Sequence, residues 1–388
     1  MKERILIAHG GGPTPVINSS LQGVVESARK SGKVEKIYAA RFGAEGILAD
    51  DLMDMSEFSD HTISLLANTP ASAIGSCRYK LSEKDYEPLL EVFKKHKITA
   101  FFYNGGNDSM DTCHKIDELA KREGLDLKVI GIPKTIDNDL AVTDHSPGYG
   151  SAARYAAISA SELALDASGL PIHVVVLELM GRNAGWITAA GALASKLTNT
   201  EQMVLLPERP YEEERFMAEV KKRFARGKGL LVTISEGLHD KDGHMIGDSG
   251  IVDGFGHTVP GGAAQALSEQ IMQKTGLKSR SEKPGLLGRT SMPYVSEVDR
   301  KEAYAVGAKA VELVLTGESG YMVTIEAERE NGYSFKTGKA PLKDVANVEK
   351  KFPQEWITDD GFGINEEFFD YLLPLIGEEL PEYAILRK

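Results

Sequence analysis

The sequence has 388 residues, 42% of them hydrophobic, and a formal net charge of −12 at pH 7. That is enough chain for two or three packed units; no apolar run reaches the roughly 18–20 residues needed to cross a bilayer, and the acidic balance argues against general nucleic-acid binding. Only Cys77 and Cys113 are present, without disulfide-framework or metal-ligand spacing, and the opening MKERILIAHG lacks a signal-peptide pattern, so a reducing cytoplasm and no membrane are expected.

The predicted elements alternate strand and helix. Arg4–His9 reads as a strand ending in Gly10-Gly11-Gly12, followed by a helix from Pro15 to about Arg29 and a strand over Ile37–Ala40. A helix over Ser82–His96 precedes the strand Ile98–Tyr103, which runs into Asn104-Gly105-Gly106; then come a helix over Asp108–Glu123 and a strand over Leu127–Ile132. The second series is helix Ser151–Ser168, strand His173–Leu179, helix Asn183–Lys196, strand Met203–Leu206, helix Tyr211–Arg226, strand Leu230–Ile234, and helices Gly262–Thr275 and Ser296–Thr316. The tail departs from this rhythm, with a hairpin over Tyr321–Thr337 and a helix Glu366–Leu373 stopped by Pro374. Such alternation predicts an α/β protein: two similar domains with mainly parallel sheets flanked by helices and a cleft between them. Ligands of such sheets sit at the carboxyl ends of strands.

The loops after strands carry the chemistry. Gly10-Gly11-Gly12-Pro13-Thr14 offers backbone N–H groups and a helix N-terminus to a phosphate, although alone it is equally a tight strand–helix turn. Asn104-Gly105-Gly106-Asn107-Asp108-Ser109 repeats the design; Ser109 is a candidate phosphate donor, and Asp108 or Ser109 a candidate helix cap. Pro133-Lys134-Thr135-Ile136-Asp137-Asn138-Asp139 is the most informative segment. It puts a cation, a hydroxyl and two carboxylates two residues apart into one loop, a set that deprotonates a hydroxyl and holds a metal. Arg78 in a Gly/Ser turn suits phosphate, and Met180-Gly181-Arg182, Glu236 and Arg289 fall at predicted strand ends.

These runs, in order GGGPTPVIN, GGNDS, PKTIDND, TDHSPGYGS, MGR, SEG, LGR and VDR, resemble the phosphofructokinases over roughly residues 4–320, and the tail resembles the pyrophosphate-using branch. The resemblance implies the phosphofructokinase-like fold with its active site in the interdomain cleft. It implies a phosphoryl-donor domain over 1–149 plus about 299–340, and a sugar-phosphate domain over 150–298 plus about 341–388. Asp137 would be the base toward the sugar 1-hydroxyl; Thr135 and Asp139 would orient substrate and Mg²⁺-bound phosphate, with Lys134 near the transferring phosphoryl. Gly11, Gly12, Arg78, Gly106, Asp108 and Ser109 would face the donor. Met180, Gly181, Arg182, Glu236, Arg289 and Arg300 would bind fructose 6-phosphate, the last two through its phosphate. The metal would lie at Asn107, Asp108 and Asp139, with Asn107 standing where many relatives have Asp.

Asp108 and Lys134 occupy positions that are glycine in ATP-using relatives, so pyrophosphate is the expected donor. ATP is the alternative, and a non-catalytic sugar-phosphate-binding paralogue is a further one. Gln22 and Glu26 replace two effector-binding arginines, implying no allosteric control. A homodimer or homotetramer acting in glycolysis is expected. His173 replaces a subunit-bridging arginine, which implies a weaker hold on the 6-phosphate.

Overall fold

A computed structural model describes residues 2–170, 173–227, 229–252, 258–377 and 379–386. The strands of the first half are β1 (Glu3–His9), β2 (Val34–Ala40), β3 (Leu52–Asp54), β4 (Ala100–Gly105) and β5 (Lys128–Pro133). Those that follow are β6 (His173–Leu179), β7 (Gln202–Leu205), β8 (Leu230–Ser235), β9 (Asp248–Val252), β10 (Thr258–Pro260), β11 (Lys278–Glu282), β12 (Tyr321–Glu328) and β13 (Ser334–Pro341). The chain forms two compact units, Met1–Ser151 with Arg289–Lys350, and Ala152–Gly288 with Lys351–Lys388. The return into the first unit therefore falls at Arg289, ten residues before the expected 299, and the departure at Lys350 rather than about 340.

The first unit is built on a seven-stranded sheet of order β13-β12-β5-β4-β1-β2-β3. Its central pairs β2·β1, β1·β4, β4·β5 and β5·β12 are parallel, and antiparallel pairs close both edges. Successive residues of β1 serve opposite faces. Ile5 and Ile7 join a core with the helices Ile17–Ser31 and Glu297–Leu315, whereas Leu6 and Ala8 join one with Tyr86–His96 and Asn107–Arg122. Helices Ile17–Ser31 and Glu297–Leu315 cross closely: a Cβ on Gly23 would overlap the Tyr304 carbonyl, and one on Gly307 the Ser20 carbonyl.

The second unit holds an all-parallel sheet, β11-β6-β8-β7, and the antiparallel pair β9·β10. Every residue of β6 is buried, as its near-continuous apolar run predicts. Val174, Val176, Met203, Leu230 and Val232 pack on helices Glu213–Gly227 and Ala263–Thr275.

Several expectations need correction. The helix expected over Asn183–Lys196 is two pieces, Trp186–Ala190 and Leu193–Thr198. Gly191 lies at the break, and its Cβ would come within 2.9 Å of Thr233. The terminal helix runs through Pro374 to Leu375; proline is tolerated there because only one ladder bond near the end is lost. Arg289 does not follow a strand: it ends a 3₁₀ turn, Gly285–Arg289, whose Leu286 and Leu287 are exposed rather than pleated into a sheet. Strands β3, β9, β10 and β11 and the short helices Gly43–Leu48 and Asp60–Ser64 were not expected.

Candidate active site

In the first unit, β5, β4 and β1 are neighbours, so their three carboxyl-end loops lie side by side. Backbone hydrogen bonds lock them together. Gly10 N donates to Asn104 O at 2.9 Å, Lys134 N to Gly105 O at 3.1 Å, and Gly11 N to Cys77 O at 2.9 Å. Ser76 Oγ donates to Gly11 O at 2.6 Å, which fixes the turn carrying Arg78. Gly11 has φ 74°, in the region glycine alone enters freely.

Charge converges on this turn. Lys134 is buried, and its ammonium donates to Gly12 O at 2.7 Å. A Cβ on Gly12 would overlap Arg289 Nη1 and lie 3.6 Å from Arg78 Nη2. Burial first, then the Arg289 guanidinium, push the Lys134 pKa down to about 8, against the opposing pull of Asp137 and Asp139. His9 beneath it adds no charge, because burial and Lys134 hold the imidazole neutral, with a pKa of about 3. Three cations around two glycines make a receptor for a compact polyanion.

The segment after β5 is shaped by Asn138, at φ 54°. Its Oδ1 accepts from Ser146 N at 3.1 Å, and this kink sets Asp137 and Asp139 on either side. Asp137 N donates to Thr135 Oγ1 at 3.0 Å. Asn107 Nδ2 donates to Asp139 Oδ2 at 3.3 Å, while Asn107 Oδ1 and Asp139 Oδ1 are buried without a hydrogen-bond partner among the described residues. Two orphaned oxygens on paired side chains fit a hard divalent cation, which takes oxygen ligands. Asp108 is exposed in the first turn of its helix. The Ser109 hydroxyl is buried beneath Gly10 and Gly105 and bonds to Tyr103. Arg300 pairs with Glu297 at 3.0 Å on the helix Glu297–Leu315.

Sequence reasoning missed the props of this loop. Lys350 N donates to Asp139 O at 2.8 Å and Lys350 Nζ to Asp144 O at 2.8 Å, two hundred residues away in sequence. Asp144 also takes both terminal nitrogens of Arg329 at 2.7 and 2.8 Å. His145 bridges Asp144 at 2.8 Å and the buried Glu302 at 2.7 Å. Asp299 of the VDR run is buried and accepts from Gly148 N, Ser151 N and Ser151 Oγ, so it caps the helix Tyr149–Gly169. The clue available in sequence was Asn138 itself, a residue type that tolerates positive φ.

The second unit holds Met180, Gly181, Arg182 and Glu236, at the adjacent carboxyl ends of β6 and β8. Gly181, at φ 118°, accepts from Ser235 Oγ, and a Cβ on Gly237 would overlap the Arg182 carbonyl. Burial and Glu178 push the Glu236 carboxyl upward, while Lys283 and Arg182 pull it back. Lys283, not singled out from sequence, pairs with buried Glu178 at 2.6 Å. His173 starts β6, at the opposite end from Met180, and is itself buried.

The order and geometry of these loops agree with a match to the family described as Phosphofructokinase, over residues 4–314. The chain belongs to the phosphofructokinase family. A pyrophosphate–fructose 6-phosphate 1-phosphotransferase of Halomonas elongata is 44% identical over 387 residues, 97% of this chain and 92% of that one. One of Methylococcus capsulatus is 42% identical over 388 residues, with 97% and 92% covered. The crystal structure of a pyrophosphate-dependent phosphofructokinase from Nitrosospira multiformis superposes with a TM-score of 0.90 at 41% identity, covering 99% of this chain and 94% of that one. Among the described residues of this phosphofructokinase-family chain, no helix is long and apolar enough to cross a membrane.

Proposed function

We propose that the protein reversibly transfers a phosphoryl group from pyrophosphate to the 1-hydroxyl of fructose 6-phosphate, giving fructose 1,6-bisphosphate and orthophosphate. The observation that carries the reading is the buried Lys134 ammonium, bonded to the Gly12 carbonyl beside Arg78 and Arg289. A donor without a nucleoside is held by its charge alone, and this turn concentrates charge. The named activity of relatives more than 40% identical over nearly the whole chain agrees.

In this reading the loops after β1, β4 and β5 hold the donor and the base, and Met180, Gly181, Arg182 and Glu236 are the residues that the family resemblance assigns to the sugar phosphate. Asp137 accepts the proton of the 1-hydroxyl as that oxygen bonds to the terminal phosphorus. The bridging P–O bond breaks and its electron pair leaves on orthophosphate, whose growing charge faces Lys134. Phosphoryl transfer depends on positioning and electrostatic stabilisation, and Thr135, Lys134 and Arg78 supply both. Mg²⁺, held through Asn107 and Asp139 with Asp108 close in sequence, would neutralise phosphate charge when bound. The protein acts in the cytoplasm as a homodimer or homotetramer.

A coupled assay with fructose 6-phosphate, Mg²⁺ and either pyrophosphate or ATP tests the reading. Turnover with pyrophosphate, and fructose 6-phosphate formation from the bisphosphate and orthophosphate, is expected. Turnover with ATP alone would replace it with the ATP-dependent activity, and turnover with neither donor would leave a binding protein.

A further inference from the structure

We propose that Lys350 is a positioning residue for phosphoryl transfer, its ammonium fixing the kink at Asn138 that sets the place of Asp137; the proposal rests on the pyrophosphate reading above. The segment from Asp137 to Asp144 does not hold its shape by local preference. Asn138 has φ 54° and Val142 φ 62°, and a β-branched residue in the left-handed region is an outlier. Such conformations persist only where the surrounding structure over-determines them.

Lys350 supplies that constraint from the last residue of the first unit. An ammonium has three donors and no acceptor, and this one meets three oxygens: Asp144 O at 2.8 Å, and Thr143 O and Asn138 Oδ1 at 3.4 Å each. One side of this bridge is fixed. Asp144 N donates to Ile325 O at 3.0 Å and Ile325 N to Thr143 Oγ1 at 2.9 Å, so residues 143 and 144 are stitched to β12. The other side is the kink, where Asn138 Oδ1 also accepts from Ser146 N at 3.1 Å. The ammonium thus ties the residue between Asp137 and Asp139 to the sheet. The main chain of Lys350 acts separately: its N–H donates to Asp139 O at 2.8 Å, next to the bridge that pairs Leu140 with Glu349. Lys134 stands before the kink, where its own bonds to Gly105 O and Gly12 O hold it, so donor binding does not depend on Lys350.

Lys350→Met removes the ammonium and keeps the main-chain bond to Asp139. It is expected to lower kcat with pyrophosphate about 10–100-fold, up to the scale of a 1 Å misplacement of a reacting group. The Michaelis constants for pyrophosphate and fructose 6-phosphate should stay within about threefold, because the lost interaction acts on the transition state. Calorimetric titration of pyrophosphate without sugar should likewise give an affinity within about threefold of the unmodified enzyme. A double-mutant cycle with Asp137→Ser separates positioning from mere support of the fold. Without the base there is nothing to place, so in that background Lys350→Met should cost less than about threefold in kcat. If Lys350→Met fails to fold, as judged by circular dichroism, Lys350→Gln is carried through the same cycle. Equal losses in the two backgrounds would overturn the proposal, and so would near-normal kcat in Lys350→Met or a rise in KM for pyrophosphate as the main effect. Failure of the unmodified enzyme to use pyrophosphate would instead sink the functional reading, and that is seen before any variant is made.

Discussion

Raising the pH through 8 should disarm the donor site through one residue. Burial and Arg289 bring Lys134 down to about 8 from 10.5, a shift worth roughly 3 kcal/mol. Near pH 7 about nine-tenths of the free enzyme then carries the ammonium, and near pH 9 about one-tenth. The kcat/KM for pyrophosphate should fall about tenfold per pH unit on a limb centred near 8, since kcat/KM reports groups of the free enzyme. Bound pyrophosphate favours the charged amine, so the limb in kcat should lie at higher pH. Unfolding does not imitate this. The folded pKa lies below the unfolded one, so between pH 8 and about 10.5 the unfolded chain holds the extra proton, and this residue's contribution to stability improves as pH rises. The assay is the pH profile of kcat/KM for pyrophosphate from 6.5 to 9.5, in the unmodified enzyme and in Lys134→Arg, whose guanidinium does not titrate there. The limb should vanish in the variant, whatever its residual activity. An identical limb in both proteins would refute the reasoning.

Asp137→Ser should lower kcat by about 10²–10⁴-fold, the range for a positioned acid–base group, and move the Michaelis constants far less; near-normal kcat in steady-state assays would remove Asp137 from the mechanism. Asp108 is exposed at the start of its helix, so Asp108→Gly should raise turnover with ATP at little cost in stability, and unchanged ATP turnover would show that the carboxylate does not exclude nucleotides. Glu26 is held by Gln22 at 2.8 Å and by Tyr304 at 2.9 Å, a carboxylate where an effector phosphate would need a cation; initial rates should be hyperbolic in fructose 6-phosphate and indifferent to ADP, and sigmoidal curves relieved by ADP would contradict this.

The parts of the fold legible in the sequence were those with local cause. A buried parallel strand reads as an apolar run, and β6 was found with both ends in place. The post-strand loops announced themselves through glycine and paired carboxylates. The rest depends on distant partners. β11 alternates charged and small residues along an edge, with no apolar run to mark it. The hairpin was expected, but its place was not: Tyr321 and Met322 pair with Ile130 and Gly131, a register that no local periodicity encodes. Arg289 shows the same limit at the candidate site. Its motif identifies a phosphate-binding residue, but only the turn Gly285–Arg289 shows that the guanidinium lies over Gly12. Lys350 stood in a charged tail without any mark of its hold on Asp139.

The discontinuity of the first unit has a consequence during synthesis. When β5 has left the ribosome, its outer edge still awaits β12, whose first residue lies roughly 190 residues further along the chain. At about 5–20 residues per second that is an interval on the order of 10–40 s. The helix Glu297–Leu315, which covers one face of the same sheet, arrives only shortly before β12. For that time an apolar sheet edge and an apolar face stand open together, the condition under which nascent chains pair wrongly with one another. Folding of the first unit is thus completed from its far end: truncation before Tyr321 leaves the unit that holds Asp137 without its closing strands, and truncation anywhere before Lys350 removes the lysine bonded to Asp139.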